Sequence, residues 1–111
     1  MSLREVVDKL GLQLLTGEGN LDEEVTGGFC SDLLSYVMAN SRKGQLWFTI
    51  QGHQNIIAVA SLVELAGVVV CDGMAVDEET SKKAEEQGVC LLTSDRQIYE
   101  LAGRLYAFLE E

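Results

Sequence analysis

Short apolar runs alternate with longer helical stripes along the second half of this chain. Residues 46–50, 68–71 and 89–93 are continuous apolar or β-branched runs, and a helical segment follows each of them. Runs of this length are typical of strands that are buried on both faces of a sheet. Three strand-helix units with short connections predict βαβ crossovers and a mostly parallel sheet.

The three helices that follow these strands differ in polarity. The first, which we expect to end at Gly67, is apolar nearly all round, and this profile predicts that it is covered on more than one side. The second, residues 77–87, has acids in its first turn and should lie mostly in water. The third has apolar residues along one side and is predicted to begin at an N-cap formed by Ser94 or Asp95.

The chain begins with a pattern that is typical of a capped helix. Ser2 is followed three residues later by Glu5, which is the spacing of a capping box. Gly11 is expected to end this helix, and residues 12–16 are expected to form a brief strand.

A further strand-helix unit is predicted before the three already described. Residues 25–29 read as a strand that contains two glycines, and residues 33–39 read as a helix with Ser31 or Asp32 as its N-cap. The full pattern predicts one α/β domain over residues 1–111, with a mostly parallel central sheet and helices on both faces.

Composition narrows the classes of partner and the compartment. The net charge of −10, from 18 acidic and 8 basic residues, repels polyanions, so we expect no nucleic-acid or membrane partner. No apolar stretch reaches the roughly 18–20 residues of a membrane span, and the N-terminus does not resemble a signal peptide. Cys30, Cys71 and Cys90 are widely spaced and odd in number, which predicts free thiols and a cytoplasmic location.

Four strand-helix junctions are candidates for a binding site. Ligands of open α/β sheets bind beyond the carboxyl ends of the strands, where helix N-termini offer free N–H groups. The junction from Gln51 to Asn55 has no carboxylate, whereas each of the other three contains an aspartate. The candidate ligand-binding residues are Ser31, Asp32, Thr49, Gln51, Gly52, His53, Asn55 and Asp72. The alternative is that these polar groups only cap the helix and link the loops.

His53 is the only histidine of the chain and could carry other chemistry. With Asp32 or Asp72 it could serve as the general base of a small enzyme, and with Cys30 and Cys71 it could bind a metal. Neither set has a spacing motif, and the chain lacks a phosphate-binding P-loop, a GxGxxG pattern and a GxSxG elbow. We therefore expect no catalytic residue, no metal and no cofactor.

The apolar helix after residue 54 also bears on quaternary structure. A domain of 111 residues has few elements with which to cover such a helix on all sides. We expect a homodimer with this helix or the region of Trp47 near the interface. Complete burial within one chain is the alternative.

Residues 25–106 resemble the DRTGG domain family, especially its stand-alone members. The resemblance rests on GFCSDLLS at residues 28–35, on LWFTIQ at 46–51 with NIIAVA at 55–60, and on YELA at 99–102. The residues that name the family are absent here as an uninterrupted run, and GHQ at 52–54 stands where many relatives carry an Asp-Arg pair.

The resemblance implies a regulatory, non-catalytic α/β domain that is similar to the N-terminal domain of HPr kinases. Relatives carry it beside nucleotide-sensing CBS modules or phosphotransacetylase. Stand-alone relatives are often labelled serine kinases, but this chain has no phosphate-binding loop, so we do not expect that activity. We predict a sensor domain that binds a small polar ligand, nucleotide-like or anionic, and a protein partner. A small enzyme and a ligand-free protein-interaction module are the alternatives.

Overall fold

A computed structural model describes residues 1–110, which form five strands and five α-helices. The strands are β1 Gln13–Thr16, β2 Gly27–Cys30, β3 Gln45–Thr49, β4 Gly67–Val70 and β5 Leu91–Thr93. The helices are α1 Leu3–Leu10, α2 Leu34–Asn40, α3 Asn55–Val63, α4 Glu78–Gln87 and α5 Ile98–Leu109. A short 3-10 turn, Glu18–Asn20, follows β1.

All five strands lie in one sheet, in the order β1-β5-β4-β3-β2. The strands β2 to β5 are parallel, and β1 pairs with β5 in the antiparallel direction. Because each consecutive parallel strand is a neighbour of the last and such crossovers are right-handed, α2, α3 and α4 all lie on one face. The helices α1 and α5 cover the other face. This architecture confirms the predicted mostly parallel α/β fold.

Each face of the sheet carries its own apolar core, because successive side chains of a strand point to opposite faces. Leu46, Phe48 and Val69 pack with Leu101 and Leu105 of α5. On the other face, the neighbouring positions Trp47, Val68, Val70 and Leu91 pack with Ile56, Ile57 and Val59 of α3. No helix among residues 1–110 has the length and apolar character needed to cross a bilayer.

Two helix starts differ from the sequence prediction. Ser31 and Asp32 do not cap α2, because Leu33 occupies the N-cap position and Ser31 Oγ instead accepts a hydrogen bond from the Leu33 N–H at 3.2 Å. At α5 the N-cap residue is Gln97, and Ser94 Oγ accepts from the Arg96 N–H at 3.0 Å. Both serines therefore stabilise the loops before the helices and not the first helical turn.

The helix α3 ends earlier than predicted. Glu64, and not a glycine, takes the left-handed conformation at its end with φ +64°, and Gly67 begins β4 instead. The capping box of Ser2 with Glu5 and the closing role of Gly11 are confirmed at α1. These two features are correct because every contact that makes them lies within one helix.

Trp47 lies inside the protein and not at its surface. Its side chain is 0% exposed, and its Nε1 donates a hydrogen bond to the Ser31 carbonyl oxygen at 2.8 Å. Trp47 itself therefore has no exposed surface to offer a partner, and the expected homodimer with α3 or the region of Trp47 near its interface stays a prediction. The sheet, α2 and α4 also cover most of α3, and its outer positions include Ala58 and Leu62, which is 68% exposed.

Candidate functional site

The carboxyl ends of β2, β3, β4 and β5 meet at one edge of the sheet, which we call the carboxyl-end edge. Four loops lie there: residues 31–33, 50–54, 71–77 and 94–97. They contain the four strand-helix junctions named from the sequence, so the parallel sheet brings the junctions to the same side of the molecule.

The Asp32 carboxylate joins the first two of these loops. Its Oδ1 accepts hydrogen bonds from the Thr49 hydroxyl at 2.6 Å and from the Ile50 N–H at 2.9 Å. The Gln51 side-chain amide donates to the Asp32 carbonyl oxygen, and the Gln51 N–H donates to Thr49 Oγ1 at 3.2 Å. Asp32, Thr49 and Gln51 therefore come together, and their polar groups bind mainly one another. The neighbouring Ser31 also contacts β3, because its carbonyl oxygen accepts a hydrogen bond from Trp47 Nε1.

Gly52 lies where two loops approach each other closely. Its carbonyl oxygen accepts hydrogen bonds from the Thr80 hydroxyl at 2.7 Å and from the Asp77 N–H at 3.1 Å. A Cβ atom at residue 52 would lie 1.9 Å from the Ala75 carbonyl oxygen. Glycine is therefore required here by the approach of the β4–α4 loop, which is a reason that the local sequence does not reveal.

His53 and Asn55 are exposed at the start of α3. The Asn55 N–H donates to His53 Nδ1 at 3.2 Å, so the imidazole satisfies one of the free N–H groups of the helix. Within residues 1–110 His53 takes part in no ion pair, and neither Asp32 nor Asp72 orients its ring through a hydrogen bond. This geometry gives the small-enzyme alternative no positive support.

The junction from Gln51 to Asn55 contains no carboxylate of its own, but the fold brings one close to it. The Gln54 side chain lies 3.4 Å from a carboxylate oxygen of Glu79, in the first turn of α4. An acidic group from a neighbouring helix therefore stands beside the entrance to α3, and this favours ligand groups that donate hydrogen bonds over bare anions.

Asp72 lies at the end of β4 in an uncommon backbone conformation. Its φ is +61°, and its N–H donates to the Arg96 carbonyl oxygen at 2.8 Å. The next residue, Gly73, has φ +65° and donates to the Ser94 carbonyl oxygen at 3.0 Å. These two bonds fix the β4–α4 loop to the β5–α5 loop, while the Asp72 side chain stays exposed.

A recess of about 370 Å³ opens at the same edge, beside Asp72. Its lining residues come from the end of α1, β1, the β4–α4 loop and the end of β5: Gly11, Gln13, Leu15, Gly73, Met74, Val76, Thr93, Ser94 and Asp95. The sequence prediction included the β4 and β5 junctions, the first of which contains Met74, but it missed Gln13 and Leu15. No local signal marks them, because β1 reaches this edge only through its antiparallel pairing with β5.

A larger cavity of about 610 Å³ lies at the opposite edge, near the amino ends of the parallel strands. Glu23, Glu24, Glu64 and Lys43 line it, and Glu64 lies 3.6 Å from Lys43 in an exposed ion pair. Ligands of open α/β sheets collect at the other edge, so we place the candidate site at the smaller recess. No cluster of three or more metal-binding side chains occurs within residues 1–110.

The three cysteines are free thiols in different environments. Cys71 and Cys90 are buried, and desolvation raises the pKa of each to about 12. Cys30 is exposed on β2, where partial desolvation and then the charge of Asp32 raise the pKa of its thiol. All three thiols are therefore protonated at neutral pH.

We expect a thiol reagent to modify Cys30 alone in the folded protein, and slowly. Because the thiolate is the reacting form and its pKa is raised, the rate should rise about tenfold for each pH unit until the pKa is reached. Intact-mass measurement should show one adduct in buffer and three in strong denaturant. Rapid labelling of Cys71 or Cys90 without denaturant would contradict this burial.

Comparison with known proteins identifies a similar fold among solved structures. No protein-family model matches the chain, and no curated protein matches it. Among solved structures it is similar to the CBS and DRTGG domains of the regulatory region of Clostridium perfringens pyrophosphatase, crystallised with the activator diadenosine tetraphosphate. The TM-score is 0.70 and the sequence identity is 15%. The match covers 94% of this chain but 45% of that chain, so this chain spans less than half of the regulatory region. The protein therefore has a DRTGG-like α/β fold.

Proposed function

We propose that this chain is a non-catalytic regulatory domain of the DRTGG family that binds a small polar, nucleotide-like ligand at the carboxyl-end edge. The observation that carries the proposal is the recess of about 370 Å³, at the edge where α/β folds bind ligands. The likeness to a regulatory region that takes a nucleotide activator supports the class of ligand.

The lining of the recess suits the nucleoside part of a nucleotide. Leu15 and Met74 are 38% and 46% exposed and offer apolar surface to a base, while Thr93 and Ser94 offer hydroxyl groups. Asp95 lines the recess, and Asp72 directly precedes the lining residue Gly73; both are exposed carboxylates that would accept hydrogen bonds from ribose hydroxyls or a base amino group. The same acids repel phosphate groups, which would have to extend towards solvent.

The remaining candidate residues take two roles in this proposal. Asp32, Thr49, Gln51 and Gly52 hold the β3–α3 corner in place, and His53 with Asn55 presents polar groups at its exposed rim. Ligand binding at this edge would be signalled to a protein partner. We also propose a homodimer, and a reducing, cytoplasmic compartment that is compatible with three free thiols.

A thermal-shift screen of nucleosides, nucleotides and metabolites tests this proposal. A ligand present at one hundred times its dissociation constant should stabilise the fold by about 2.7 kcal/mol and raise the melting temperature. The variant Met74→Glu, which places a charge in the recess, should lose the shift. Leu62→Glu adds the same charge on the outer side of α3 and should keep it.

The outcomes separate the alternatives. A screen in which no compound stabilises the protein would favour the ligand-free interaction module. A shift that survives in Met74→Glu but disappears in His53→Ala would move the ligand from the recess to the α3 corner.

A further inference from the structure

The strand β2 is an unprotected edge of the sheet. It pairs with β3 on one side in unbroken register over Gly27–Cys30, and none of its four residues is charged or is proline. Natural edge strands are usually blunted by charges, prolines or bulges, because their free N–H and C=O groups pair readily with another strand. The opposite edge strand, β1, carries such a device, a shift of register between Leu14 and Thr16.

Exposed aromatic and apolar side chains flank β2 on both faces. On the α5 face, Tyr99 and Tyr106 are 90% and 69% exposed and lie seven residues apart on one side of the helix. On the α2 face, Leu33 is 64% exposed, and Tyr36 packs on Phe29 with 5.7 Å between the ring centroids. We call β2, which includes Phe29, together with Leu33, Tyr36, Tyr99 and Tyr106 the β2 strip.

A groove of about 500 Å³ runs along the strip between β2 and α5. Gly27, Gly28 and Cys30 form its strand side, and Ala102 and Tyr106 lie on its helix side. Because the two glycines have no side chains, nothing projects from the strand at these positions and another backbone can approach it closely.

The charge distribution favours a second copy of this chain as the occupant. The chain carries a net charge of −10, yet the β2 strip contains no ionisable carboxylate, lysine or arginine. Of the acids close to the strip in sequence or in the groove, Asp32 binds Thr49 and Glu110 lies at one end of the groove. Glu100, next to Tyr99, is paired with Arg96 and Arg104. Two equally acidic molecules repel each other over most of their surfaces, and the strip lets them meet without opposing carboxylates.

We propose that two copies of this chain pair through β2 in the antiparallel direction, around a twofold axis, to form a continuous ten-stranded sheet. A strand paired with its own copy in this way is self-complementary, which is what a twofold interface requires. The axis stands perpendicular to the sheet, so α5 meets α5 on one face and α2 meets α2 on the other.

The exposed surface is large enough to contribute a substantial part of such an interface. With roughly 200 Å² for a whole tyrosine side chain, the exposed fractions of Tyr36, Tyr99 and Tyr106 amount to about 400 Å². A standard interface takes about 800 Å² from each partner. The tyrosines alone thus supply about half, and the strand and Leu33 add to it.

Sedimentation equilibrium with matched variants tests the interface. Wild-type protein should be a dimer at tens of micromolar. Tyr106→Glu should raise the dissociation constant of the dimer at least about tenfold, or 1.4 kcal/mol, because it opposes two charges near the axis. Leu62→Glu is the control, because Leu62 on α3 is equally exposed, at 68% against 69%. It should leave the dimer intact.

Hydrogen exchange gives a reading that needs no variant. The amides of β2 should be protected in concentrated wild-type protein and exchange faster on dilution. A monomeric wild type, or dissociation by Leu62→Glu but not by Tyr106→Glu, would overturn the proposal, the second result in favour of an α3 interface. Because these measurements contain no ligand, a failed dimer leaves the ligand proposal untouched, and a failed ligand screen leaves the dimer untouched.

Discussion

Replacing Gly52 with alanine is expected to destabilise the fold by about 3 kcal/mol or more. The new Cβ would lie 1.9 Å from the Ala75 carbonyl oxygen and 3.0 Å from the Val76 Cα, and both are backbone atoms that cannot rotate away. The β3–α3 and β4–α4 loops would have to separate, which would also break the hydrogen bonds from Asp77 and Thr80 to the Gly52 carbonyl oxygen. Thermal unfolding should show this as a fall in melting temperature on the order of 10 °C. Urea unfolding should show it as a lower midpoint concentration.

Gly103→Ala is the matched control for this substitution. Gly103 lies inside α5, and a Cβ there would meet nothing within 4 Å. Alanine at this position should stabilise the protein by about 0.5–1 kcal/mol, because glycine is a poor helix former. If Gly52→Ala unfolds at the same denaturant concentration as the wild type, the two loops do not approach as described.

Replacing Asp32 with alanine is expected to cost about 2–3 kcal/mol. The change removes the acceptor of two hydrogen bonds and leaves the Thr49 hydroxyl, whose residue is 0% exposed, without its partner. Bonds to charged groups contribute about 1.5–3 kcal/mol, and an unsatisfied buried hydroxyl costs about 1–3 kcal/mol, but the exposure of Asp32 reduces the first figure. Equilibrium unfolding in urea measures the loss.

Two further variants separate the hydrogen bonds from the charge of Asp32. Asp32→Asn keeps an acceptor oxygen and should cost less than about 1 kcal/mol. Asp95→Ala removes an exposed aspartate from the β5–α5 loop and should change stability by less than about 0.5 kcal/mol. Equal stability of Asp32→Ala and Asp95→Ala would show that the Asp32 contacts contribute nothing.

The same variants bear on the ligand proposal. Asp32 and Thr49 are largely occupied by each other, so we expect their substitution to change stability first and ligand affinity only through the shape of the corner. Residues that line the recess, such as Met74, should show the reverse pattern: a lost thermal shift with little change in the stability of the free protein.

Chemistry that is local in the chain could be inferred from the sequence. The apolar runs of β3, β4 and β5, the capping box at Ser2 and the glycine ends of α1 and α4 all depend on residues within a turn or two of each other. The order of strand-helix units and the right-handed crossovers then leave few arrangements of the sheet. The four junctions at one edge follow from that arrangement, which is why the general location of the candidate site was predictable.

The sites themselves were decided by contacts between distant segments. Asp32 looked like a helix cap but binds β3, 17 residues away, and Gly52 looked like part of a polar corner but is required by the approach of Ala75. The recess exists because β1 pairs antiparallel with β5, which brings Gln13 opposite Thr93. The sequence determined the elements, the fold class and the edge to examine. Only the tertiary structure decided which polar groups are already hydrogen-bonded and which surfaces stay exposed. The physical reason is that groups far apart in sequence compete for the same side chain, and packing selects between them.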